Sequence, residues 1–157
     1  MPLSSVLAIP ASQAVEQLRL DENGITSEGA VAMAGALAQG ALPRLAALYL
    51  DCNRIDDVGV AALAESGKRG LRALWGLSLY GNRGITAASL SVVASALREG
   101  AFPLLMHLAL PEEHFAFVAE NALALNLGAA TSPAFRAASE LMAACLSRGI
   151  VINADSF

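Results

Sequence analysis

The sequence predicts an α/β repeat solenoid, strand–turn–helix units stacked in series and closed by a helical C-terminal cap. Three observations carry this prediction. A short leucine-bearing segment recurs, with Leu18, Leu48, Leu77 and Leu108 spaced 30, 29 and 31 residues apart. In the first three copies an apolar period of two then gives way to a period of three to four, the switch from strand to helix. A glycine follows each helical stretch, at Gly40, Gly70 and Gly100.

Each element follows from its residues. The strands are read from Leu18-Arg-Leu20-Asp-Glu-Asn23-Gly-Ile25, Leu48-Tyr-Leu50-Asp-Cys-Asn53-Arg-Ile55 and Leu77-Ser-Leu79-Tyr-Gly-Asn82-Arg-Gly-Ile85. The last has one extra residue before the isoleucine. A fourth, degenerate copy, Leu105-Met-His-Leu108-Ala-Leu110, has Glu113 where the asparagine belongs. The leucines point inward because side chains alternate along a strand. Thr26, Asp56 and Thr86 are N-cap residues for helices through Gly29–Leu37, Gly59–Leu63 and Ser89–Leu97. Pro43 and Pro103 stop a helix from running into the next strand. Asn23, Asn53 and Asn82 are read as a structural ladder, since an amide can donate to and accept from backbone groups of adjacent turns.

These cores, with the helices after them, resemble the leucine-rich repeat family, in particular its long-repeat, ribonuclease-inhibitor-like class, over about residues 14–110. They are also similar to the repeats of Ran GTPase-activating proteins. The resemblance implies a short, curved solenoid with a concave parallel sheet and helices on the convex side. It also implies protein binding as the usual role.

Past Leu110 the pattern changes. One helix is expected over 115–127, ended by Gly128. A second begins at Ser132 as N-cap with Pro133 in its first turn and ends at Gly149. Phe135, Ala138, Leu141, Met142 and Cys145 share one face of it, and Arg136 can pair with Glu140 on another. Ile150–Ile152 is a candidate final strand. The chain therefore divides into repeats over 1–110 and a cap over 111–157, because an open solenoid end exposes apolar surface. A partner-binding helix hairpin is the alternative for the second part.

Composition narrows the function. Alanine is about one residue in five and aromatics are 5%, which suits closely packed small helices better than a cofactor-lined cavity. No cofactor is expected. Lys and Arg total 10 against 14 Asp and Glu, so no nucleic-acid footprint is present. The uncharged stretches 1–15, 29–43 and 121–135 are too short for a membrane span, and the first ten residues lack a basic start for a secretory signal. Cys52 and Cys145 form no disulfide framework, so a reducing, cytoplasmic setting is expected. Cys52 reads as a small half-buried residue beside the ladder.

Catalytic and metal chemistry find little support. His107 is expected as a surface histidine on the fourth strand, and His114 lies in a turn beside Glu112 and Glu113. An acid–base or metal site from these four is the sharp reading and a solvated turn the plain one. No phosphate-binding glycine motif follows any strand.

What remains is the sheet face. Arg19, Tyr49 and Ser78 stand between paired leucines, Asp21, Asp51 and Tyr80 at the next outward position, and Glu22, Cys52 and Gly81 beyond. Asp21 and Asp51 on adjacent strands repel each other, which a cationic partner relieves. Tyrosine is a residue type that anchors interfaces. Arg19, Asp21, Glu22, Tyr49, Asp51 and Tyr80 are therefore the candidate binding residues, facing a partner protein with a basic surface. A solvated acidic face is the plain alternative. Three functions follow: a non-enzymatic interaction module, favoured; a small-GTPase regulator using Arg54 and Arg83; or a terminal fragment of a longer array. Open solenoid ends also allow self-association.

Overall fold

The structure, a computed structural model, describes residues 14–111 and 132–153. Strand and helix alternate: β1 (Gln17–Arg19), α1 (Ser27–Ala38), β2 (Ala47–Tyr49), α2 (Asp57–Arg69), β3 (Gly76–Ser78), α3 (Ala87–Arg98), β4 (His107–Ala109), α4 (Pro133–Arg148) and β5 (Val151–Asn153). The five strands form one parallel sheet in chain order. Their register aligns Leu18, Leu48, Leu77, Leu108 and Ile152 in a single column. Each helix packs on the next, α1 on α2, α2 on α3 and α3 on α4. This is a short α/β solenoid of stacked strand–helix units.

The core follows the repeat. Leu48, Leu50, Ile55, Leu63, Leu79, Ile85, Leu90 and Leu97 are fully buried in one cluster that runs through the units. Helix starts fall at the expected residues. Asp56 accepts from the N–H groups of Val58 and Gly59, and Thr86 from that of Ala88, whereas Thr26 makes no side-chain cap bond. At the far end, Ser132 Oγ accepts from Phe135 N, and Gly149 takes the left-handed conformation at φ 68°.

The ladder is explicit in the hydrogen bonds. Asn53 Oδ1 accepts from the N–H groups of Asn23 (3.1 Å) and Ile25 (2.9 Å), while its amide donates to the carbonyls of Leu20 and Leu50 (both 2.9 Å). Asn82 repeats this one unit on, accepting from Ile55 N and donating to the carbonyls of Leu50 and Leu79. Each asparagine thus ties its own turn to the turn before it. These bends would otherwise bury unpaired backbone groups.

A second set of bonds joins the helix starts. Ser27 donates to Asp56, and both Thr86 and Ser89 donate to Asp57. The Ser27 bond, with the N–H groups of Val58 and Gly59, holds the Asp56 carboxyl below its ordinary value. Burial pushes Asp57 upward, but the hydrogen bonds from Ser89 and Thr86 outweigh it and leave it lowered as well.

The C-terminal segment is in register with the array. Helix α4 packs on α3 as α3 packs on α2, and β5 extends the same sheet. It therefore holds the place of the fourth unit's helix. Strand and helix are separated by residues 20–26, 50–56 and 79–86 in the first three units, but by 110–132 in the fourth. The expected helix over 115–127, with His114, Glu112 and Glu113, lies outside the described residues. Arg148 at the end of α4 donates to the carbonyls of Leu97 (3.2 Å), Ala101 (2.7 Å) and Phe102. The buried Phe102 ring fills the space beside Gly67, where a Cβ would meet it at 2.5 Å. The expected Arg136–Glu140 pair gives way to Arg98–Glu140 at 3.7 Å, because α3 brings Arg98 alongside.

Candidate functional site

The turns leaving the strands converge on one rim of the sheet. Each turn needs a left-handed residue at the same position: Glu22 at φ 56°, Cys52 at φ 52° and Gly81 at φ 70°. For a residue with a Cβ this conformation costs roughly 1–2 kcal/mol. Gly81 adds a second reason for its identity, since a Cβ there would lie 2.8 Å from Cys52 Sγ. Its absence makes room for the thiol, and Cys52 is exposed, not half-buried as expected.

Between these turns lies an open cleft of about 1200 Å³. Glu22, Cys52, Asn53, Arg54 and Asp56 line one part, and Tyr80, Gly81, Arg83 and Pro111 the other. Asn53 is fixed by the ladder, so the cleft floor is rigid backbone and amide. Asp56 is occupied by Ser27 and the start of α2. Arg54 and Arg83 each follow a ladder asparagine and are exposed. Among the described residues neither takes part in an ion pair, unlike Arg19, Arg44 and Arg98. Glu22, Arg54 and Arg83 are therefore the charges the cleft offers outside ion pairs among the described residues.

The expected binding residues divide. Glu22 and Tyr80 line this cleft, and Arg19 is exposed. Tyr49 and Asp51 are not open surface; they are only 5% and 7% exposed. The reason lies in local partners. Arg19 places its guanidinium 3.9 Å above the Tyr49 ring, and Ser78 donates to the Asp51 carboxylate. Asp21 is similarly engaged, 3.6 Å from Arg19 and accepting from Asp51 N at 3.2 Å. The expected repulsion between Asp21 and Asp51 is thus met within the protein. Ser78 and Ala109, in the same row as Tyr49, are completely buried. Arg54 and Arg83, expected only for a GTPase regulator, share this cleft with the expected binding residues Glu22 and Tyr80. The available signal was the Asn-Arg pair at 53–54 and again at 82–83.

His107 likewise differs from the surface position expected of it. It is half-buried with its ring edge-on to Trp75, the centroids 5.6 Å apart. Among the described residues no three His, Cys, Asp or Glu side chains stand together as a metal site. No helix among them is long and apolar enough to cross a membrane. The cleft can offer hydrogen-bond donors, two guanidinium groups, one carboxylate and the Tyr80 ring.

A Leucine Rich repeat family model matches residues 11–34 and 45–64, which cover the first two strands and most of their helices. No curated protein matches the chain.

Proposed function

Built from leucine-rich repeats, the chain is, we propose, a non-enzymatic protein-interaction module whose partner seats in the rim cleft. The observation that carries this reading is the pair of exposed arginines, Arg54 and Arg83, without an ion pair among the described residues and beside Tyr80 on a floor held by the asparagine ladder. Arginine and tyrosine are residue types that anchor interfaces, and a rigid floor limits the ordering cost of binding. With Asp21 and Asp51 engaged internally, the open charges are of both signs. A partner that brings a carboxylate to the arginines fits this rim better than a uniformly basic surface.

Affinity capture from lysate tests this with the full chain, Arg54→Glu/Tyr80→Ala/Arg83→Glu, and Val58→Lys as a control on the exposed side of α2. The expected outcome is a protein retained by wild type and control and reduced at least tenfold with the triple variant, both variants showing native circular dichroism. Equal capture by the triple variant rejects the rim as the binding site. The same two arginines favour one second reading, a small-GTPase-activating regulator, because a guanidinium can stabilise phosphoryl-transfer charge. Single-turnover GTP hydrolysis by a captured GTPase separates it from simple binding.

A further inference from the structure

Three comparisons between the end units and the middle ones show a consistent mismatch. The ladder asparagines Asn53 and Asn82 reach back to the preceding turn, whereas Asn23 donates only to Asp21 O within its own turn. Leu18, Leu20, Ile25 and Met33 are partly exposed, but Leu48, Leu50, Ile55 and Leu63 are buried. At the opposite end, the bonds Ala101 N to Ala96 O and Ile150 N to Cys145 O align α4 with α3, and so Leu146 with Leu97. Leu97 is 1% exposed and Leu146 is 76%. Both ends therefore carry residues of core type at core positions with no neighbouring unit among the described residues.

The two ends are also complementary. In the middle units, Leu20 N donates to Tyr49 O and Glu22 N to Asp51 O. By register, the matching backbone groups of Arg19 and Asp21 face outward from β1, an edge suited to the forward side of another parallel strand. Strand β5 bonds backward to β4 through Val151 N and Met106 O, so its forward side is the kind β1 can receive. Helix α1 strengthens the match. After Glu28 it carries no charged residue, yet Gly29 and Ala32 on the side away from α2 are exposed. The outward side of α4 presents Leu146 and Met142. A two-fold dimer pairs an edge with its own kind in the antiparallel sense and leaves the opposite end of each copy open, so it does not satisfy both ends.

We propose that a second copy of this chain is the occupant, its α4–β5 end stacking on the β1–α1 end of the next. The contact is head-to-tail and does not close, so it propagates. This inference is independent of the rim cleft, which lies at the turns.

Sedimentation of the full chain over a wide concentration range, together with two end-blocked variants, tests it. Leu146→Arg blocks the outgoing end at a solvent-exposed site. Ala32→Arg blocks the incoming end, with Asn23→Arg as a second block there should the first disturb α1. Wild type is expected to gain mass with concentration, and each variant to remain monomeric. Mixing the two variants should restore a 1:1 pair of twice the monomer mass and nothing larger, because one free incoming end meets one free outgoing end. A wild type that stays monomeric throughout overturns the proposal and leaves these ends to other parts of the chain. So does a mixture that fails to pair, or a single variant that still assembles.

Discussion

The first unit and the second are written on the same template and live in different surroundings. Both have the paired leucines, the asparagine, the isoleucine and a helix cap in the same order. In the second, the asparagine bonds to two turns, the leucines are buried and the cap carboxylate is used. In the first, the asparagine side chain bonds to its own turn alone among the described residues, the leucines are partly open and Thr26 caps nothing with its side chain. The repeat motif thus specifies a conformation, while stability is set by the number of neighbours, as expected when interfaces between units hold a solenoid together.

That contrast yields ordered expectations. The largest effect should come from equivalent positions in α3 and α4. Leu97→Ala is expected to cost about 2–5 kcal/mol in urea unfolding, as for other buried leucines, and Leu146→Ala less than about 0.5 kcal/mol. This comparison holds for the monomer, at concentrations below self-association; equal costs there would mean that α4 is covered within its own chain. Next comes the ladder. Asn82→Ala strands buried backbone groups and should cost about 2–3 kcal/mol, against a few tenths for Asn23→Ala.

A smaller effect separates the joints between helix starts in acid. Asp56 and Asp57 have lowered folded values against 3.8 for an ordinary aspartate. Their contribution is full above 3.8 and is lost as pH falls through the lowered folded values, because the unfolded chain then binds more protons. Thermal melts below pH 4 should therefore show a shallower fall for Ser27→Ala than for wild type. The least energetic test is of the thiols. Cys52 is exposed and should react with a disulfide reagent in the native state. Cys145 is buried, with burial pushing its thiol up to about 11, and should react only on unfolding.

Most of the fold was legible because the repeat pins register. Once Leu18, Leu48 and Leu77 align, the caps at 26, 56 and 86 and the ladder asparagines follow. The fourth unit was harder. Its strand and helix are separated by 110–132, so no period in the sequence shows that α4 packs on α3 and that β5 joins the same sheet. The binding face was least legible. Whether Tyr49 is open depends on where Arg19, thirty positions earlier, lays its guanidinium, and Asp51 depends on Ser78 from the next strand. No local pattern encodes those meetings. The rim arginines, by contrast, are marked by the Asn-Arg pairs, though that they share a cleft with Tyr80 is visible only across the units.

The long interval between β4 and α4 has a consequence for how the chain's last elements are held. Helix α4 is joined to the rest by packing on α3, by the three carbonyl bonds of Arg148 and by the pairing of β5 with β4. None of these passes through residues 112–131. The last helix and strand are therefore held to the array at three separate places, and a change that weakens one helix contact leaves the sheet edge to serve as the clasp.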